Sequence, residues 1–340
     1  MTKKYSVAIV GATGMVGRKM IEVLIERRFP LKNLKLLASA RSAGKEIRVG
    51  SETYTVEEAV PPSFEGVDFA FFSAGGDLSR ELAPEAAKRG SVVIDNSSAF
   101  RMEEEIPLVV PEVNPDDAFK HSGIIANPNC STIQMVVALK PLQDAVAIRR
   151  VVAATYQAVS GAGKEALEEL QENCRAHLDG RPVKTERIPH GGALRTYQLA
   201  FNLVPQIDVF VEDGYCKEEI KMIRETRKIM HLPGLPVTAT TVRVPVATGH
   251  SIALNLEFEG PLSAAGARAL LEKAPGVSVI DNPGQLEYPT PLEAEGSDAV
   301  YVGRIRPDHS VTYGLNLWVV SDNIRKGAAT NSIQIAELLI

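Results

Sequence analysis

The chain is poor in the features that mark several protein classes. It has three cysteines in 340 residues, Cys130, Cys174 and Cys216. The count is odd and no C-x-x-C pair occurs, so free thiols in a reducing compartment are expected and a structural zinc site is not. Long apolar runs are also missing. None reaches the roughly 18 residues that suggest a membrane span, and the apolar stretch near the start stops at Gly11, too short for a signal-peptide core. The 37 lysines and arginines are spread along the chain against 42 acids, for a net charge of −5, which leaves no basic face for nucleic acid. No internal repeat or low-complexity tract occurs. These absences suggest a cytoplasmic protein with no metal, no membrane partner and no nucleic-acid partner. What is present, 45% hydrophobic and 23% charged residues, suffices for two ordinary domains.

Residues 5–10 form a short apolar run of the buried-strand kind, and residues 18–27 carry apolar side chains at helical spacing (Met20, Ile21, Leu24, Ile25). Between them stand Gly11, Ala12, Thr13, Gly14, Met15, Val16 and Gly17. Strand, glycine turn and helix are the setting a dinucleotide fingerprint needs. Gly11 permits the tight turn, Gly14 lets backbone approach a pyrophosphate, and Gly17 lets the helix pack on the strand, with phosphate at the helix N-terminus. The spacing is G-x-x-G-x-x-G rather than G-x-G-x-x-G, so the setting carries more weight than the glycines. A second strand over 34–38 ends in Ser39, Ala40, Arg41 and Ser42, and no acid lies between Asn33 and Lys45. An NAD site would place an acid there for the ribose hydroxyl; a cation flanked by hydroxyls suits a 2′-phosphate and favours NADP. Strands over 67–72 and 91–95, separated by a helix over 78–89, lead into Ala74 and Gly75 and into Asn96. These residues are candidates for the cofactor edge or plain loop residues.

In the segment 126–134, Pro128 holds the backbone extended and Cys130 sits where an apolar, helix-like run begins. Unpaired amides and the positive end of the helix dipole favour thiolate there, so Cys130 is a candidate nucleophile, with a buried structural cysteine as the equal alternative. Beyond it the pattern changes to β-rich runs over 149–159, 237–246, 251–259, 299–306 and 312–320, with helical blocks over 164–178 and 217–230. This predicts an α/β chain: a Rossmann-type dinucleotide-binding domain over 1–129, completed by a C-terminal helix within 322–340, and an α+β domain with a mixed sheet over 130–321. Cys130 would then lie where the domains meet, a common place for ligand sites. Cys174 and Cys216 are expected to pack.

Several unrelated motifs follow one another in a specific order: residues 11–17, 39–42, Asn-Pro-Asn-Cys-Ser-Thr over 127–132, Tyr-Gln-Ala-Val-Ser-Gly-Ala-Gly over 156–163, Glu-Glu-Ile-Lys over 218–221 and Val-Arg-Val-Pro-Val-Ala-Thr-Gly-His over 242–250. In these motifs, and over essentially its whole length, the chain resembles the bacterial aspartate-β-semialdehyde dehydrogenases. The resemblance implies reversible, NADPH-dependent reductive dephosphorylation of β-aspartyl phosphate to aspartate β-semialdehyde through a cysteine thioester. That step feeds lysine, methionine and threonine synthesis. A homodimer or a dimer of dimers, built through the second domain's sheet, is implied as well.

Roles follow from the same resemblance. Cys130 is the nucleophile, a thiolate being able to displace phosphate and leave a reactive acyl group. His250 matches the family's histidine and is expected to act as its base. The Cys130 N–H and the Asn129 side chain are placed to meet the oxyanion. Gln157 orients the acyl portion, Arg243 clamps the α-carboxylate, Glu218 faces the amino group, and Arg101 and Lys221 take the phosphate. Glu218 and Lys221, three apart on a predicted helix, share a face. Ser160, Gly161 and Gly163 resemble a cofactor-contacting turn, and Asn323 a contact near the nicotinamide. Two other readings stay open: a reductase of another acyl phosphate, such as N-acetyl-glutamyl phosphate, and a non-catalytic nucleotide-binding paralogue. The first usually carries Gly-Cys-Tyr-Pro-Thr at the thiol, and the second would be expected to have lost Cys130 or His250.

Overall fold

Short apolar runs near the N-terminus pair as one parallel sheet. The elements are β1 (Tyr5–Val10), α1 (Met15–Glu26), β2 (Leu31–Ala38), β3 (Glu46–Val49), β4 (Glu52–Thr55), β5 (Glu57–Glu58), β6 (Phe69–Phe72), α2 (Gly76–Lys88), β7 (Val92–Asp95) and β8 (Ile124–Ala126). The sheet order is β5-β2-β1-β6-β7-β8 with every pairing parallel, and β3 and β4 form a separate hairpin. A parallel sheet covered on both faces explains why Val7, Ala8, Ile9 and Val10 are all fully buried rather than alternating. Strand order reverses at β1, which puts the ligand crevice of such a fold outside the carboxyl ends of β1 and β6. The glycines there are sterically required. A Cβ on Gly11 would lie 2.3 Å from the Ser73 carbonyl oxygen, and one on Gly17 would lie 2.2 Å from the Gly11 carbonyl oxygen. Gly17 stands inside the first turn of α1, so this helix starts earlier than its apolar spacing suggests.

The computed structural model describes residues 3 to 340, and the chain divides into two units. The second, Cys130–Gly327, contains α3 (Cys130–Ala145), β9 (Ile148–Gln157), α4 (Lys164–Leu178), α5 (Lys217–Ile229), β10 (Val237–Arg243), β11 (His250–Phe258), α6 (Ala264–Leu271), β12 (Val277–Val279), α7 (Pro291–Ala294), β13 (Val300–Asp308) and β14 (Gly314–Ser321). Its sheet runs β10-β9-β11-β14-β13-β12 and is mixed: β10 with β9 and β12 with β13 are parallel, the rest antiparallel. Helix α3 packs against α5 and α6 and against β9, β11, β13 and β14. Residues Ser131 to Leu139 are all buried, so α3 is a core helix rather than an amphipathic surface one.

The first unit comprises the residues up to Asn129 together with Ala328–Ile340. A π-helical turn, Arg325–Ala329, leads into α8 (Thr330–Leu338). Ile333, Ile335 and Ala336 enter the same core as Val7, Ile9, Met20, Leu24 and Phe71. Burying each isoleucine contributes about 1.5–3 kcal/mol. Arg27 at the end of α1 grips Glu337 with a two-pronged ion pair of 2.8 and 2.6 Å. Residues 322 to 327, expected with the first domain, belong to the second unit.

Candidate active site

Cys130 is the first residue of α3 and is partly exposed, while the residues that follow it are buried. Pro128 and the helix start together put the thiol at the end of the helix where amides lack intrahelical acceptors. The π-helical turn packs against it: a Cβ on Gly327 would lie 2.8 Å from Cys130 Cβ, so only glycine fits there. Asn129 is buried immediately before it.

His250 opens β11 and is completely buried. Its Nδ1 accepts a hydrogen bond from the Ala158 N–H at 3.0 Å. A ring that accepts at Nδ1 carries its neutral-state proton on Nε2. Burial first, and then the charge of Arg243, push its pKa down to about 3, with Glu218 opposing. The ring is therefore neutral near pH 7 and presents an Nε2–H donor. In that tautomer the nitrogen left to face a reacting group is Nε2, and it holds a hydrogen. Gln134, one turn along α3 from Cys130, donates to the His250 carbonyl at 3.2 Å and fixes the strand start to the helix. Asn323 accepts from the Gly249 N–H at 2.9 Å and bonds Ser160, so these two expected cofactor contacts also brace the turn before His250.

Arg243 ends β10 in register with Gln157 of β9. Its Nη1 donates to the Ala158 carbonyl at 2.7 Å. Burial lowers the guanidinium pKa, and Glu218 and Cys130 act in the opposite direction, which places both within electrostatic reach of Arg243. Gly161 makes room for these groups: a Cβ there would lie 3.1 Å from Arg243 Nη1 and 3.2 Å from the His250 ring. Gln157 donates to Ser131 Oγ at 2.7 Å and to Glu218 Oε1 at 3.1 Å. Glu218 Oε2 takes Lys221 Nζ at 3.1 Å, confirming their shared face of α5, and Lys221 also lies 3.4 Å from Asp208. Glu218 is only 5% exposed, so the pair is no solvated surface bridge. Arg243 Nε and His250 Nε2 are buried and have no hydrogen-bond partner among the described residues. Paired orphans of this kind fit a site that a polar ligand completes. Ser131 and Gly327 join the site without having been singled out from sequence; neither carries a titratable group to draw notice.

In the first unit, Gly14 caps α1 without a side-chain hydrogen bond, and the first turn has no acid, which suits a pyrophosphate. Ser39, Ala40 and Arg41 are exposed in a short 3₁₀ turn after β2. The two-residue strand β5 lays Glu57 beside Leu37 and Glu58 beside Ala38, bringing acids near this turn from 15 or more residues away in sequence. Ala74 and Gly75 follow β6, with Gly75 capping α2 and open space about it, and Gly163 caps α4 at φ +95°. Asn96 is more engaged than expected. Its Nδ2 donates to the Phe72 carbonyl at 3.2 Å, its Oδ1 accepts from Asn127 and Ser332, and its own carbonyl accepts from Arg101 at 2.8 Å. Arg101 is buried and also donates to the Asn127 carbonyl at 3.0 Å. Among the described residues no cluster of His, Cys, Asp and Glu could hold a metal, and no helix is long and apolar enough to cross a membrane.

Two family models match this chain: the NAD binding domain of semialdehyde dehydrogenases over residues 6–121, and their dimerisation domain over 139–326. The aspartate-semialdehyde dehydrogenase of Aquifex aeolicus is 57% identical, over 99% of this chain and 98% of its own. The chain belongs to the aspartate-semialdehyde dehydrogenase family. It is thus an oxidoreductase of amino-acid biosynthesis, with a Rossmann-type nucleotide-binding domain and a dimerisation domain. The crystal structure of aspartate semialdehyde dehydrogenase II from Vibrio cholerae, complexed with ASA, superposes with a TM-score of 0.94 at 49% identity, covering 99% of this chain and 98% of that one. The Candida albicans enzyme with NADP superposes at 0.75 with 25% identity, covering 99% and 98%.

Proposed function

We propose that this dehydrogenase uses NADPH to reduce β-aspartyl phosphate to aspartate β-semialdehyde, reversibly, through a thioester on Cys130, in the route to lysine, methionine and threonine. The observation that carries the reading is the second unit's grouping of a helix-start thiol, a buried arginine, a buried acid and a neutral histidine donor. The thiolate, favoured by the α3 amides and by the charge of Arg243, attacks the acyl carbon and phosphate leaves. The oxyanion receives hydrogen bonds from the Cys130 N–H and the His250 Nε2–H, with Asn129 a further proposed donor. Because His250 Nε2 already carries hydrogen, the thiol proton goes to solvent before substrate binds, and the imidazole acts as a donor throughout. A bound NADPH would supply the hydride that reduces the thioester, and collapse of the hemithioacetal oxyanion so formed would release the aldehyde and return the Cys130 thiolate.

Arg243 offers its fork to the α-carboxylate, Glu218 its remaining lone pairs to the amino group, and Gln157, held by Ser131 and Glu218, orients the acyl portion. Lys221 is proposed to meet the phosphate, and Arg101 has the same proposed role. The first unit takes NADP through Gly11 to Gly17 and the Ser39 to Ser42 turn. Arg41 and the NADP-bound Candida albicans relative support the phosphorylated cofactor. The ASA complex of the Vibrio cholerae relative supports the substrate, and the dimerisation domain supports a homodimer. The deciding experiment measures phosphate-dependent NADP⁺ reduction with aspartate semialdehyde beside N-acetyl-glutamate semialdehyde, for the wild type and Cys130→Ser. Turnover is expected for the first aldehyde alone and for the wild type alone. Preference for the acetylated aldehyde, or activity in Cys130→Ser, would overturn substrate and covalent route respectively.

A further inference from the structure

Glu219 is buried in the second unit although the reaction gives it no task. It lies on the face of α5 that carries Met222, Ile223 and Thr226, where a carboxylate is costly unless it is bonded. Its Oε2 accepts from the Cys216 N–H at 2.8 Å and its Oε1 from the Thr241 N–H at 2.9 Å. Cys216 is the N-cap of α5. Thr241 stands on β10, the edge strand of the mixed sheet, two residues before Arg243. An edge strand leaves amides without sheet partners. Here Glu219 takes that of Thr241, and the Val204 carbonyl takes that of Arg243 at 2.8 Å. A further link joins the same elements, Cys216 Sγ to Thr241 Oγ1 at 3.1 Å. Glu218, the residue before Glu219, accepts from Gln157, the register partner of Arg243.

We propose that Glu219 is a positioning residue that fixes the spacing between Glu218 on α5 and Arg243 on β10, and so matches the site to an α-amino acid bearing both ammonium and carboxylate. The inference rests on the reading above, in which those two side chains hold the substrate's amino and carboxylate groups. One carboxylate spans two elements with two bonds, so its loss lets α5 and β10 drift apart at the point where substrate is gripped. Displacements of about 1 Å can cost on the order of a hundredfold in rate.

The test is steady-state kinetics of Glu219→Ala and Glu219→Gln with aspartate semialdehyde, phosphate and NADP⁺, beside their melting temperatures. Glu219→Ala is expected to raise the KM for aspartate semialdehyde by about tenfold or more, with the KM for NADP⁺ within about twofold. Glu219→Gln keeps one carbonyl acceptor and falls between; if the alanine variant does not fold, the glutamine variant decides. Wild-type turnover with an unchanged aldehyde KM in the folded variants, or a lowered melting temperature as the only effect, overturns the positioning role alone. No wild-type turnover removes the substrate reading, and this proposal with it.

Discussion

At His250, burial and the neighbouring charge of Arg243 act together on one ring. Its pKa falls from the ordinary 6.5 to about 3. Between those values the unfolded chain binds a proton that the folded chain refuses, so this residue's contribution to stability is full above about pH 6.5 and is lost as pH falls toward 3. His250→Gln removes the titration. Its melting temperature, followed from about pH 7 to pH 4, is expected to decline less steeply than that of the parent. Parallel curves would show that the ring titrates normally. The residue types of the site were legible in the sequence: a thiol at a helix start, an arginine, an acid and a histidine in familiar motifs. The histidine's tautomer was not, because it depends on the Ala158 amide 92 positions away. Glu219 was missed although an acid on the face of Met222 and Ile223 is itself a signal. Asn96, a candidate for the cofactor edge or a plain loop residue, has its side chain bonded to Phe72, Asn127 and Ser332, partners that sequence spacing does not reveal.

Among the elements, α4 runs Lys164–Leu178 as its spacing predicts, and the long strands of the second unit fall within a few residues of their apolar runs. Elements of two to four residues are too short to show a periodicity. The hairpin of β3 and β4 is mostly exposed, β5 is two glutamates, and β12 is three half-buried residues. The short strand β5 matters for the cofactor, since it lays Glu57 and Glu58 along the end of β2. The turn after β2 thus has a cation within it and acids beside it, the former suited to a 2′-phosphate and the latter to a free ribose hydroxyl. Arg41→Ala is expected to weaken NADPH binding by about tenfold, the worth of one lost charge-assisted contact, and to leave NADH binding nearly unchanged. Titration of both cofactors by fluorescence checks this. Equal losses would move the specificity from Arg41 to the neighbouring acids.

For the whole molecule, the chain order and the order of structure differ. The first unit draws on residues at both ends, and the second occupies the continuous stretch between them. Residues 1–129 alone lack Ile333, Ile335 and Ala336 from their core and Glu337 from the end of α1. Expressed alone, this fragment is expected to lose cooperative thermal unfolding, and fusing residues 328–340 to its end is expected to restore it. A sharp transition in the bare fragment, followed by circular dichroism, would show that α8 is dispensable. During synthesis the second unit has all its residues once Gly327 emerges, whereas the first, begun earlier, still waits for its last helix. At about 5–20 residues per second, the roughly 200 intervening residues hold the parallel sheet short of that cover for about ten to forty seconds. The part of the protein made first is therefore the part completed last, and its uncovered apolar face is what a chaperone at the ribosome would meet.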